Sequence, residues 1–392
     1  MANVVTGTVS TEEFETTAER KIDMDPEIKM LDKDESQFTT YTQDVSSKVT
    51  HREKINWLEN EYFPRLVSLS AAYAASGAVT PTLQTGQGAY VRKGDFIRNM
   101  KTGEGFWVTG ITGDVLTATR TIGGAAAAAG SIGDQMLIAS NASAQGADFG
   151  QTAMLQKTVG YNYTQIFRHG LTFSRTATAI DIFGPAQPGQ ESANKGVEHK
   201  RALEYTGFWG ARGMITDPAT GEPVGFAGGL AEFVTTFKRD VAGSLTADYL
   251  DSYFKDALQH GSRNKVMYVA PLLALQISKF NRQGMGQYWV PADTSVHGVK
   301  VDAFVSGVYG WKIPVIVKRD WNDFSTTNKQ YGGWGFLVDH DYVSWRPLVD
   351  ASTSLLTARQ PRGADRVSEE WLTEGTWEIA QERNHGILYG VV

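Results

Sequence analysis

The sequence predicts an α+β fold, and three observations carry that expectation. Residues 190–213 read as one long helix, residues 86–140 hold only short strand candidates separated by glycine turns, and helical and strand patterns alternate after residue 216. The 392 residues are material for two or three domains and a sizeable core. With 41 glycines against 12 prolines, spread along the chain, many turns and close backbone approaches follow.

Residues 1 to about 50 are polar, with Asp23, Asp25 and Glu27 and then Asp32, Asp34 and Glu35, and hold too few large apolar groups to bury a core. They read as an arm. Asp32, Asp34 and Ser36 invite a calcium-loop reading, but Gln37 stands where such a loop requires glycine. In residues 51–78, Ile55, Trp57, Leu58, Tyr62 and Phe63, then Leu66, Val67 and Leu69, predict a helix broken at Pro64 that anchors the arm. Strand candidates follow at Tyr90-Val91, Phe96–Arg98, Phe106–Val108, Val115–Thr117 and Met136–Ile138, with a hairpin turn at Thr112-Gly113-Asp114. Two similar pieces, one starting at Lys93 and one at Ile132, stand where a small barrel would open and close, so a compact β insertion is expected. Residues 157–168 and 171–176 read as extended, on either side of His169-Gly170.

The long helix has two different halves. Its first carries Glu191 with Lys195, Glu198 with Arg201, and Lys200 with Glu204, each pair three or four residues apart. From Ala202 onward Leu203, Tyr205, Phe208 and Trp209 gather on one side, fit to dock on a sheet, and Gly213 is placed to stop the helix. Gly207 and Gly210 each cost about 1 kcal/mol of helix propensity, so a neighbour should press close there. Beyond a turn at 217–223, residues 247–260 predict a helix capped by Thr246 and ended by Gly261; 265–270 is a strand, and Pro271 starts a helix to Arg282. Strands are expected at 299–305 and 313–317, the latter at a sheet edge because of Pro314, and again at 335–348 and 376–392.

Composition excludes much chemistry. There is no cysteine, hence no disulfide, thiolate or cysteine-ligated zinc. A net charge of −6 without a basic block argues against a dedicated nucleic-acid binder. No signal-peptide pattern and no apolar run of membrane-spanning length is read. The loop 184–189 has phosphate-loop glycine spacing, but Gln190 stands where the lysine is needed. The seven histidines show no metal-type pairing, and His199, beside Lys200, reads as a surface residue. Asp339-His340-Asp341 lacks a partnered serine and reads as turn chemistry. Asn141 and Asn162 match the glycosylation pattern, which is idle without secretion. No catalytic, cofactor or metal residues are assigned.

At the level of ordered motifs the chain resembles the major capsid proteins of tailed bacteriophages with the Hong Kong 97-type coat fold, in the group with a barrel-like insertion in the extended loop. The motifs are Gly94–Ile97 through Thr117–Arg120; Asn162–Phe167 with Ser174–Thr176; Glu198–Glu204 with Gly228-Gly229-Leu230; and Thr373–Glu378 with Arg383–Ile387. The resemblance implies an N-terminal arm (1–85), an extended loop (86–180) bearing the insertion (about 86–146), a peripheral domain with a spine helix (181–215), an axial α/β domain (216–335) and a return to the peripheral domain (336–392). It implies a non-enzymatic shell subunit, located in the virion and assembled in the host cytoplasm, forming hexamers and pentamers of an icosahedral shell around double-stranded DNA. The partners implied are further copies of itself, a separate scaffolding protein and a portal, with a decoration protein and lysine–asparagine crosslinks left open, weak non-specific DNA contact and no membrane. Residues expected at assembly interfaces are Glu198, Lys200, Arg201, Glu204, Arg92, Lys93 and Trp57. Two other readings compete: a virion decoration or fibre protein binding glycans through the aromatic β block, and a hydrolase using Asp339, His340 or Asp341.

Overall fold

The computed structural model describes residues 36–146, 154–180, 187–282, 289–296, 299–305, 309–321 and 333–391. The chain divides into two compact units, one formed by Leu58–Val159 and one by the segments on either side of it. The first described element is helix α1 (Gln37–Val45), with Phe38, Thr39 and Thr42 buried. Strand β1 (Lys54–Glu59) follows, with Ile55 and Trp57 buried and their neighbours exposed. The helix expected over 51–78 does not form. Ile55 and Trp57 are two residues apart, the spacing of a strand face, and Leu58, which made the pattern look helical, is exposed.

The Leu58–Val159 unit is built from β2 (Leu66–Ser68), β3 (Asp95–Asn99), β4 (Gly105–Thr112), β5 (Val115–Thr119) and β6 (Gln135–Asn141), in one sheet of order β2-β6-β3-β4-β5. Residues 58–85, expected in the arm, therefore fold with this block. Four of the five expected strands are present; Tyr90 instead ends a 3-10 turn (Gln87–Tyr90). Gly113, at φ 61°, makes the β4–β5 hairpin turn. Alternate side chains Val67, Ile97, Phe106, Val108, Leu116 and Met136 form the unit's core. Glu104, fully buried, holds Arg120 at 2.7 Å and accepts the Ala128 amide, tying residues 120–128 to the sheet.

In the other unit the chain continues through β7 (Thr158–Tyr163), β8 (Gln165–Ser174), α2 (Arg175–Ala179) and the long helix α3 (Gln187–Trp209). The break between strands falls at Thr164, and His169-Gly170 lies inside β8. Then come β9 (Gly213–Thr216), β10 (Pro223–Phe226), α4 (Leu230–Phe233), β11 (Lys238–Gly243), α5 (Ala247–Ala257), β12 (Lys265–Val269), α6 (Pro271–Arg282), β13 (Trp289–Val296), β14 (Val299–Val305) and β15 (Lys312–Val317). The last strands are β16 (Gly335–Asp339), β17 (Val343–Pro347), β18 (Ser354–Leu356), β19 (Arg366–Ile379) and β20 (Gly386–Val391). Helix α5 starts as expected, the Thr246 hydroxyl accepting the Tyr249 amide at 3.3 Å, and Gly261 follows it at φ 89°.

Two sheets organise this unit. A mixed seven-stranded sheet runs β11-β20-β16-β12-β15-β14-β13, and a four-stranded sheet pairs β19 with β17, β18 and β8. Pro314 is not on an edge strand, because β15 lies between β12 and β14. Pro314 stands opposite Ala303 of β14, and the pairing to β12 begins one residue later, at Val315. The final segment does not return to one sheet either: β16 and β20 complete the seven-stranded sheet, while β17, β18 and β19 build the other. Phe208 of α3 sits in a cluster with Phe38, Tyr268, Trp321, Phe336 and Trp377, and a second cluster lies under α5 and α6 around Phe254, Leu273 and Leu337.

Candidate functional site

Helix α3 begins at Gln187, three residues before the sequence expectation, and ends at Trp209; Gly213 opens β9 instead of stopping the helix. Its inward stripe runs Ser192, Gly196, His199, Leu203 and Gly207 at steps of three and four residues, all buried. The charged half is thus also docked. Trp371 of β19 donates its ring N–H to the Ser192 carbonyl at 2.8 Å, and its ring lies over Gly196, where an added Cβ would sit 3.0 Å away. The close neighbours expected at Gly207 and Gly210 are present. A Cβ on Gly207 would meet the Phe38 ring at 2.7 Å, and one on Gly210 the Ala227 carbonyl at 2.3 Å.

His199 is fully buried, contrary to the surface expectation. Its Nδ1 lies 2.9 Å from Nδ1 of His169 and its Nε2 2.7 Å from the Thr373 hydroxyl. Burial, with His169 beside it, pushes its pKa down to about 4, so the ring is neutral near pH 7. The charged neighbour Lys200 masked it; position 199, three after Gly196 and four before Leu203, was the available signal.

Glu204 and Trp57 are corrected as well. Glu204, expected at an assembly interface, is 2% exposed within the subunit. Its carboxylate accepts the amides of Phe38 at 3.1 Å and Thr39 at 2.6 Å, and pairs with Lys318 at 2.7 Å. Lys318, itself fully buried, also donates to the Gln37 side-chain oxygen at 2.7 Å. These amides open α1, so the carboxylate satisfies donors that a helix start leaves free and complements its positive end. Trp57 is buried because Gly160 leaves space for its ring, with an added Cβ only 2.4 Å away, and Phe233 packs at 5.9 Å.

The other expected interface residues lie at or near the surface. Glu198 and Lys200 are exposed and Arg201 is half-buried; Glu198 pairs with Lys195 at 2.5 Å. Arg92 stacks over the Phe63 ring at 4.8 Å, and Lys93 beside it is exposed. Elsewhere the polar groups serve the fold. The Asp339 carboxylate accepts from the Ser262 amide and hydroxyl and from the Asp341 amide, and the buried His340 meets the Tyr268 hydroxyl at 3.1 Å. Asn162 is buried, donating to the Gly228 and Trp377 carbonyls. The calcium-loop residues Asp32 and Asp34, and residues 184–186 of the phosphate-loop candidate, lie outside the described residues. Among the described residues no group of three or more His, Cys, Asp or Glu could hold a metal ion, and no helix is long and apolar enough to cross a membrane. Lys318, Phe38 and His169 were missed in the sequence. Lys318 carries no local signal, while Phe38 is a large apolar residue in a polar stretch.

Comparison with known proteins gives this architecture its family. The sequence matches the SU10 major capsid protein family over residues 5–392. The chain belongs to that family. No curated protein matches it. Among solved structures, the capsid of an empty GTA particle aligns at TM-score 0.53 and 10% identity, covering 98% of this chain and 100% of that one. The Microbacterium phage Oxtober96 chain aligns at 0.49 and 12% identity, covering 98% and 99%, and the capsid of Myoviridae phage XM1 at 0.46 and 9%, covering 98% and 100%. The fold is the Hong Kong 97-type coat fold, and the chain is a major capsid protein that forms a virion shell. A family and fold of this kind are those of structural shell proteins. Helix α3 packs on β19 of the four-stranded sheet through Ser192 and His199 and carries exposed Glu198 and Lys200 on its other side.

Proposed function

We propose that this capsid subunit assembles into hexamers and pentamers of an icosahedral shell enclosing a phage double-stranded DNA genome, and does no catalysis. The observation that carries the reading is the match to one shell family from residue 5 to the last residue. In this reading α3 with the four-stranded sheet is the peripheral domain, the seven-stranded sheet with α5 and α6 is the axial domain, and Leu58–Val159 is the extended loop with its β insertion. Assembly takes place in the host cytoplasm with a scaffolding protein and a portal, and the packaged DNA is met by weak, non-specific contact.

Glu198, Lys200, Arg201, Arg92 and Lys93 are the interface residues proposed for contact between copies. Exposed charges of this kind set orientation and partner choice more than subunit stability. The test is sedimentation and negative-stain microscopy of the purified chain, alone and with its scaffolding protein. Rings or closed shells are expected. A stable monomer under both conditions overturns the proposal.

A further inference from the structure

The Leu58–Val159 unit has a cavity of about 540 Å³, with Tyr62, Phe63, Arg65, Tyr90, Arg92 and Ile138 among its walls. Phe63 and Tyr90 meet edge to face at 6.3 Å, Arg92 lies over Phe63, and Tyr62 is 97% exposed. The acidic wall residue Asp95 is already engaged, accepting the Arg92 amide at 2.7 Å and the Asn141 side-chain amide at 2.9 Å. The hollow therefore presents aromatic walls and, at its rim, Arg65, Arg92 and the adjacent Lys93.

The charge of the chain is segregated in a way that fits this hollow. Residues 1–35 carry ten acidic and four basic side chains; taking these from the chain's 43 acidic and 37 basic residues leaves 33 of each. The whole net charge of −6 thus resides in the first 35 residues, ahead of a neutral body. That segment has one aromatic residue, Phe14, and glutamates flank it at 12, 13 and 15. An aromatic side chain seated in a desolvated pocket is the kind of anchor that carries binding energy in protein interfaces, and charges around it choose the partner.

We propose that Glu12-Glu13-Phe14-Glu15 of one copy docks in this cavity of a second copy. Phe14 packs against Phe63 and Tyr90, and the glutamates face Arg65, Arg92 and Lys93. The 22 residues from Phe14 to Ser36 reach up to about 75 Å when extended, enough to cross to a neighbouring subunit. The inference rests on the shell reading and adds a specific clasp between copies to it.

The full-length chain with p-benzoylphenylalanine in place of Phe14, prepared as a mixture of ¹⁴N- and ¹⁵N-labelled protein, is assembled, irradiated and digested. Crosslinks to residues 62–65 and 90–92 in mixed-isotope pairs are expected, with yield falling as salt rises. Replacing Arg65, Arg92 and Lys93 by glutamate should cut that yield at least tenfold, and replacing Glu12, Glu13 and Glu15 by lysine in the same chain should restore it. Phe14→Ser, which leaves the cavity intact, should lower shell yield with subunit melting unchanged. Shells whose crosslinks fall elsewhere, stay within one chain, or go to the scaffolding protein or a glycan overturn the clasp and leave the shell reading standing. Absence of any multimer from the unsubstituted chain overturns both.

Discussion

Replacing Glu204 by glutamine tests the central polar contact of the subunit with a change of one charge and almost no volume. In the native protein the carboxylate takes three donors, the Phe38 and Thr39 amides and the Lys318 ammonium, with both charged partners out of solvent. Glutamine keeps one acceptor oxygen, which can hold one amide, but turns its own NH2 toward a remaining donor. Lys318 stays buried, loses the Glu204 carboxylate and keeps its hydrogen bond to the neutral Gln37 oxygen. Removing one member of a buried pair typically costs about 3–5 kcal/mol, and each lost hydrogen bond to a charged group about 1.5–3 kcal/mol; these overlap, so about 3–4 kcal/mol is expected. The loss should concentrate on α1, whose opening amides lose their acceptor while Phe38 leaves the core with it. Urea denaturation of the unassembled subunit gives the magnitude, and hydrogen exchange over residues 37–45 gives the location. The double variant Glu204→Gln with Lys318→Met removes both charges while keeping an acceptor oxygen for one amide, and should recover the part of the loss that comes from the stranded Lys318 charge. A Glu204→Gln protein within 1 kcal/mol of the parent, with α1 still protected, would refute the reasoning.

Three further outcomes are expected. His199 and His385 are held neutral in the folded subunit, with pKa values pushed by burial to about 4 and about 3, below the ordinary imidazole value. The unfolded chain therefore binds more protons between those values and about pH 6.5, so stability is complete above pH 6.5 and falls as pH drops toward 4, by up to about 3 kcal/mol for His199 alone. Thermal melts of His199→Gln across pH 4–7 should show a shallower slope than the parent, and an equal slope would contradict this. Gly207→Val should destabilise by about 1–3 kcal/mol, because its Cβ position is 2.7 Å from the Phe38 ring, and unchanged melting would show that α1 can yield. Reversing Glu198 to arginine should shift subunit stability by less than about 1 kcal/mol while reducing shell yield in sedimentation. A melting loss that matches the assembly loss would assign Glu198 to the fold instead.

Where the sequence was legible, local chemistry and periodicity agreed with tertiary structure. The Thr246 cap, the Pro271 start and the buried strand Lys265–Val269 are all readable from neighbours within a few residues. The errors fall where a distant partner decides. Nothing near Glu204 announces Lys318, which lies 114 positions away, and its spacing from Lys200 made a surface pair the simpler reading. His199 looked solvated because its neighbour is, although its own position on the helix faces Thr373. Ile55 and Trp57 fit a helix only if Leu58 is counted as buried. For the candidate interface, charge type and exposure were readable at Glu198, Lys200 and Lys93, whereas burial of Glu204 and Trp57 depends on α1 and on Gly160, contacts that no local pattern specifies.

Strand β19 pairs with β8 across about two hundred positions of chain, and β20 is inserted between β11 and β16. The four-stranded sheet cannot close until β19 has been made, and the seven-stranded sheet cannot close until β20 has. At about 5–20 residues per second, the stretch from β8 to the end occupies on the order of 10–50 s of synthesis. During that interval the nascent chain lacks the finished surfaces by which copies would recognise each other. Pairing across so long a stretch of chain postpones the folding of both sheets to the end of that interval.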